Sequence, residues 1–76
     1  MNKARRKRIE EANAKITEAI NILQEVHDEE AEAYDNLPES LKLSDLGDKL
    51  YDGSCVLDNA INVLDEVVCE LESCFW

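Results

Sequence analysis

The residues of this chain that could do chemistry are one histidine, three cysteines and many carboxylates. His27 is the only histidine, and Cys55, Cys69 and Cys74 lack the C-x-x-C spacing that brings two thiolates to one metal ion. Because a metal site needs clustered ligands, we expect His27 to be a packed or edge side chain. The sequence therefore predicts neither a metal nor a cofactor.

The same residues do not indicate a catalytic site. A cysteine nucleophile needs a neighbouring base and electropositive surroundings, whereas most of this chain is acidic. A di-iron helical bundle uses an inward-facing Glu-x-x-His, but the residue three positions before His27 is Gln24. No phosphate-binding loop occurs either. We therefore predict a protein that is not an enzyme and that works by binding.

The charge of the chain is unevenly distributed. The net charge is −10, but residues 1–15 carry six basic and two acidic side chains, while residues 16–76 carry two and sixteen. Cations at a helix N-terminus oppose the helix dipole, so helix stability does not account for them. Together with the free backbone N–H groups of a helix start, they form a candidate anion site. Its members are Lys3, Arg5, Arg6 and Arg8.

Two other interpretations of this basic cluster remain open. In an antiparallel helix pair, Arg5 and Arg8 would lie beside Glu70 and Glu72, in surface ion pairs worth about a few tenths of a kcal/mol each. The cluster could also be a frayed, solubilising tail. The acidic remainder of the chain would repel nucleic acids and membrane surfaces, so we expect neither as a direct partner.

Two long helices position these residues. Apolar or small side chains recur at steps of three and four, which is the period of one helix face. The pattern predicts helix one over residues 2–34, a turn over 35–43 and helix two over 44–74, within one domain over 1–76. In heptad notation, the a positions are Ile9, Ile16, Leu23, Leu43, Leu50, Leu57, Leu64 and Leu71, and the d positions are Ala12, Ala19, Val26, Ala33, Leu46, Gly53, Ala60, Val67 and Cys74.

The predicted turn contains three residues with positional meaning. We expect Asn36 in the left-handed conformation just past helix one. Pro38 excludes the preceding residue from a helix and can start a short helical segment as its first residue. Ser44 is the expected N-cap of helix two.

A short connection makes the two helices an antiparallel hairpin, so the predicted fold class is all-α. Folding about Ser40 pairs residues whose numbers add to about 80, which brings His27 opposite Gly53. Because large side chains pack against small ones, Gly53 would leave room for His27. Glycine inside a helix costs about 1 kcal/mol relative to alanine, so a kink is the other interpretation.

Helix two has more apolar surface than one partner helix can cover. It is apolar on four of its seven heptad columns, and leaving an aliphatic side chain in water costs about 1.5–3 kcal/mol. We therefore predict a homodimer or higher oligomer, most simply a four-helix bundle; the alternative is a docking surface for another protein. The candidate self-association residues are Val56, Ile61, Val63, Val68 and Phe75.

The turn and its flanks carry a resemblance to a known group. The stretch Tyr34-Asp35-Asn36-Leu37-Pro38-Glu39-Ser40-Leu41, then Ser44-Asp45-Leu46-Gly47, resembles small acidic helical proteins of bacteriophages and prophage-rich Gram-positive bacteria, in which the turn reads aromatic-Asp-Asn-Leu-Pro-Glu-Ser-Leu. The basic start is also similar, whereas Gly53-Ser54-Cys55 and the ending Cys74-Phe75-Trp76 depart from that pattern. The resemblance implies a phage-borne accessory protein, and proteins of that kind often inhibit host machinery, including defence systems.

The leading hypothesis is an oligomeric hairpin that binds and blocks a host factor such as a defence component. Its candidate partner-binding residues are Glu18 and Glu25 on an acidic face and Trp76 as an aromatic anchor. A rival is a sponge for a small, nucleotide-like anion at the basic cluster, and a third is a passive structural or assembly protein. Because no apolar leader or membrane span occurs in the sequence, we expect a cytoplasmic protein of an infected or lysogenic bacterial host.

Overall fold

The computed structural model describes residues 2–73, and over that range the protein is a hairpin of two long helices without strands. Helix α1 spans Lys3–Asp35, α2 is a single turn at Glu39–Lys42, and α3 spans Asp45–Glu72. The long helices end within two residues of the predicted boundaries. The predicted all-α hairpin is confirmed, since α1 and α3 pack against each other along their length.

The start of α1 is capped. The side-chain Oδ1 of Asn2 accepts a hydrogen bond from the backbone N–H of Arg5 at 2.8 Å. This bond satisfies one of the N–H groups that a helix leaves without an internal partner at its start. The basic residues therefore lie on a capped helix, which argues against a frayed tail.

The turn differs from the predictions at Asn36 and Pro38, whereas Ser44 is the N-cap of α3, as predicted. Asn36 has φ −82° and ψ −6°, so the expected left-handed conformation is wrong. Pro38 precedes α2 in an extended conformation, and its carbonyl accepts from the backbone N–H of Leu41 at 2.9 Å. Ser44 occupies the N-cap position of α3, but its hydroxyl donates to the carbonyl of Leu41. The bond from Ser44 to Leu41 ties α2 to the start of α3.

Gly47 determines how closely α3 approaches the turn. It is buried, and a Cβ at this position would lie 2.7 Å from the carbonyl oxygen of Leu41 and closer still to that of Lys42. Both obstacles are backbone atoms, which cannot rotate away as a side chain can. Only glycine fits at this position, since it alone lacks a Cβ.

The hydrophobic core is thin. Among residues 2–73, the buried hydrophobic side chains are Ile20 and Ile61, with 5% and 7% of their surface exposed. The molecule is a rod of 59 by 14 by 12 Å with a radius of gyration of 17.4 Å, against about 11 Å for a compact chain of this length. One helix packed on one other helix cannot enclose more.

The seam of α1 runs along the a and e columns rather than the predicted a and d columns, although the sequence pattern already includes Ile20, His27 and Tyr34 as an e-side extension of the apolar stripe. Ile20 is buried and His27 and Tyr34 are half-buried on the e column, whereas the d column faces solvent. The physical reason is size, because three of the four d residues are alanines and the e column offers larger side chains to bury. The exposed d residues are Ala12, Ala19, Val26 and Ala33.

The register near the turn lies about one helical turn from the prediction. The rings of Tyr34 and Tyr51 are 6.1 Å apart, and His27 Nε2 lies 3.3 Å from a carboxylate oxygen of Asp58. Glu30 rather than His27 faces Gly53, with its carboxylate 3.8 Å from where a Cβ would be. The expectation that Gly53 leaves room for His27 is therefore wrong, and α3 continues through Gly53 as one helix.

Candidate binding surface

One side of the hairpin exposes aliphatic side chains from both helices. In each helix they belong to the d and g columns, which lie on the same side of an antiparallel pair whose seam runs along a and e. We call this surface the apolar face. Its exposed members are Ala12, Ala19, Ile22 and Val26 of α1 and Val56 and Val63 of α3, and the half-buried Ala60 and Val67 of α3 lie at its border with the seam.

The four largest exposed side chains of the apolar face are far from buried. Val56 is 68% exposed, Ile22 54%, Val63 49% and Val26 37%. Isolated aliphatic residues are normal on protein surfaces, whereas several on one side of a rod make that side a candidate interaction surface.

The predicted self-association residues separate into three groups. Val56 and Val63 lie on the apolar face, whereas Ile61 is buried in the seam and Val68 is half-buried there. The seam takes these two because it extends to the e column of α3. Phe75 lies outside the described residues. Ile22 was missed by the sequence argument, although its g position in the heptads of α1 could have revealed it.

The predicted anion site does not form a single cluster. Arg5 and Arg8 border an open groove of about 400 Å³ at the end of the hairpin away from the turn, and we call this the basic groove. Its floor is apolar and consists of Ile9, Ala12 and Leu71. Lys3 and Arg6 lie together on another part of the surface, with Lys7 and Glu10. The division follows from the 100° that separates successive residues around a helix.

His27 is held by carboxylates. Its Nε2 lies 3.3 Å from Asp58 and its Nδ1 lies 3.5 Å from Asp28, and both carboxylates are largely exposed. Exposed pairs of this kind contribute little to stability. Within residues 2–73, no group of three histidine, cysteine, aspartate or glutamate side chains is arranged to hold a metal ion.

The remaining candidate residues lie on the outer surface. Glu18 and Glu25 are exposed on the side of α1 that faces away from α3. Trp76 lies outside the described residues. Neither long helix, over the part of the chain that the structure describes, has an apolar stretch long enough to cross a bilayer.

No protein-family model matches the chain, and no curated protein or solved structure matches it significantly.

Cys55 and Cys69 provide a first test of where the chain is covered. Both are exposed free thiols on the f column of α3, opposite the seam and away from the apolar face. We expect N-ethylmaleimide to modify both in the folded protein, at similar rates in the wild type and in a Val63→Asp variant. Mass spectrometry of the quenched peptides measures this, and protection of either thiol in the wild type alone would place the covered surface elsewhere.

Proposed function

We propose that this protein is a non-enzymatic accessory protein of the phage type, which self-associates through the apolar face and acts by binding and blocking a host protein, such as a defence component. The observation that carries the proposal is the apolar face itself. Four large aliphatic side chains are exposed there, while the buried hydrophobic core of residues 2–73 consists of Ile20 and Ile61. A hairpin of this kind gains most of its stability from a further partner.

The surface area supports the same conclusion. The single chain exposes 5765 Å², whereas a compact monomer of its mass exposes about 4,700 Å². The difference, about 1,100 Å², is of the order of what one partner contributes to a standard interface, about 800 Å². One additional copy is therefore enough to bring the exposed area into the usual range.

The shape of the surface favours binding over catalysis. An active site is usually a concave pocket that excludes water and brings perturbed titratable groups together. The basic groove is open and has an apolar floor, and its two polar side chains are both arginines. It offers neither a nucleophile nor a general base.

The outer surface indicates the kind of host protein that would fit. Residues 16–76 carry sixteen acidic and two basic side chains, and Glu18 and Glu25 point away from the seam. Complementary potentials steer association, so the natural partner of such a surface is a basic one. A groove with which a host protein binds nucleic acid is one example, and blocking it agrees with what the resemblance to phage proteins implies.

Native mass spectrometry of protein purified under reducing conditions from bacterial host cells tests this proposal. We expect the wild-type oligomer to retain a host polypeptide, and a variant with Glu18→Lys and Glu25→Lys to lose it. A variant with Arg5, Arg6 and Arg8 replaced by Ala is the matched control, because it changes charge at a different surface. Equal retention by the two variants would contradict an acidic binding surface.

The basic groove favours a second candidate function, a sponge for a small nucleotide-like anion. Two arginines over an apolar floor could hold a phosphate and a base together. This function predicts an extra small mass on the wild-type oligomer that disappears in the triple Ala variant while the oligomer persists. A bare oligomer in every sample would instead favour a passive structural or assembly protein.

A further inference from the structure

The charges that flank the apolar face follow the same order in both helices. The g column of α1 reads Arg8, Lys15, Ile22 and Glu29, and that of α3 reads Lys49, Val56, Val63 and Glu70. Each column is basic at its N-terminal end, apolar in the middle and acidic at its C-terminal end. Such a column is complementary to a second copy that runs in the opposite direction. In that arrangement the basic end of each column faces the acidic end of the other, and the apolar centres face each other.

The centres of the two columns lie at similar heights in the hairpin. Lys15 and Glu29 are equally far from Ile22, and Lys49 and Glu70 are equally far from the midpoint between Val56 and Val63. His27 lies beside Asp58, which puts Ile22 level with Val63, and Ile9 and Ala12 line one groove with Leu71, which puts Ile22 level with residues 58–61. The two centres therefore lie within about one helical turn of each other, so that one two-fold axis can bring both columns close to their reversed copies.

We propose that a second copy of this chain covers the apolar face in an antiparallel orientation, about a two-fold axis that passes beside Ile22. In this four-helix bundle α1 packs on the α1 of the partner, α3 packs on the α3 of the partner, and the two turns lie at opposite ends. The inference rests on the proposed self-association and adds its geometry.

The apolar residues fit this arrangement. Ile22 meets the partner's Ile22 at the axis, and Val56 meets the partner's Val63 on either side of it. Val26 comes opposite the partner's Ala19, so a larger side chain faces a smaller one. Val56, Ile22 and Val63, which are 68%, 54% and 49% exposed in the single chain, thus become the centre of the interface.

The charges beyond the centre fit as well. Lys15 comes opposite the partner's Glu29, and Lys49 opposite the partner's Glu70. Pairs of this kind fix the register and orientation of helices more than they add affinity.

The g columns alone are also compatible with a parallel dimer, in which α1 packs on the α3 of the partner. The two columns run in opposite directions within the hairpin, so the basic end of one would again face the acidic end of the other. The charge of the two ends decides between the arrangements. Residues 28–54, at the turn end, carry nine acidic and two basic side chains, a net charge of −7. At the open end, residues 2–15 carry a net charge of +4 and residues 66–73 a net charge of −3. A parallel dimer would bring two strongly acidic ends together, whereas an antiparallel one separates them.

The antiparallel arrangement also covers the basic groove. Leu46, which is 50% exposed in the first turn of α3, comes within a turn of the partner's Leu71 on the groove floor. A small anion would then have to displace the first turn of the partner's α3, which weighs against the sponge.

Distances between spin labels test the orientation. In a background with Cys55, Cys69 and Cys74 replaced by Ser, a nitroxide is attached to Ser40→Cys, which is exposed at the turn end. At 1.5 Å rise per residue, the antiparallel dimer separates the two labels by about 50 Å, and the parallel dimer by about 20 Å. A single peak near the long distance is expected. The short distance would overturn the antiparallel geometry, while a monomeric mass by light scattering would overturn self-association itself.

Disulfide cross-linking tests the position of the axis. In the same cysteine-free background, Ile22→Cys is expected to form a disulfide with its own copy under mild oxidation. Asn21→Cys is the control, because its neighbouring position is exposed on the f column and faces outward. Equal cross-linking of both variants, or none at Ile22 in a dimer with the long label separation, would overturn the proposed register.

Discussion

Replacing Val63 with aspartate is expected to turn the protein into a monomer. In the antiparallel dimer, Val63 lies opposite the partner's Val56, and the two-fold axis places every substitution in the interface twice. Each copy loses the burial of an aliphatic side chain, about 1.5–3 kcal/mol, and gains a carboxylate that would have to give up its water. Two copies together raise the dissociation constant by about a thousandfold or more. Light scattering or analytical ultracentrifugation over a concentration series measures the change.

The matched control for this experiment is Asn62→Asp. It adds the same charge one residue away, at an exposed f position that faces away from both the seam and the apolar face. We expect this variant to remain dimeric. Equal dissociation of the two variants would assign the effect to net charge, and a Val63→Asp protein that stays dimeric would exclude the apolar face as the interface. Circular dichroism on both variants separates dissociation from loss of the helices.

The overall architecture could be predicted from the sequence because the information that determines it is local. Steps of three and four along the chain define two helical faces, and a helix ends where Pro38 removes the preceding residue from helical geometry. A short connection then leaves few arrangements other than a hairpin. The helix boundaries in the structure lie within two residues of the predicted ones.

The composition of the seam could not be predicted in the same way. In α1, the seam consists of the a column together with either the d or the e column. Which of the two is buried depends on the side chains of α3 that pack against it. Ile20 on the e column is larger than Ala19 on the d column, and the structure buries Ile20. This single choice moves Val26 to the surface and makes α1 half of the apolar face.

The division of the basic cluster could have been predicted, because it follows from angles around one helix. Arg5 and Arg8 are three residues apart and share a face, whereas Arg6 lies 100° from Arg5. Residues that are close in sequence on a helix can therefore lie on different surfaces. The identity of a host partner is different in kind, since half of the chemistry of such an interface belongs to the other molecule.

Gly47 shows a further limit of sequence patterns. It stands three residues after Ser44 in the stretch that carries the resemblance, but no periodicity indicates that it must be glycine. The requirement comes from the carbonyl groups of Leu41 and Lys42, which α2 directs at the start of α3. A close approach of this kind is visible only when both segments have been placed.

The same substitution at the two glycines of α3 is expected to have opposite effects. In Gly47→Ala the new methyl group meets two backbone carbonyls, so either α2 or the first turn of α3 has to move, at a cost of about 1–3 kcal/mol. In Gly53→Ala the methyl group has ordinary contact with Glu30 at 3.8 Å. Alanine is the better helix former there, and we expect a gain of about 0.5–1 kcal/mol.

Urea unfolding followed by circular dichroism measures both effects, at one protein concentration because the stability of a dimer depends on it. The comparison is informative because the substitution and the helix are the same at Gly47 and Gly53, and only the neighbouring atoms differ. Equal effects at both glycines would mean that α2 does not hold α3 as closely as the structure shows. A loss of stability in Gly53→Ala would have another cause: Gly53 lies on the d column beside the apolar face, so the loss would indicate that the backbone of the second copy approaches there.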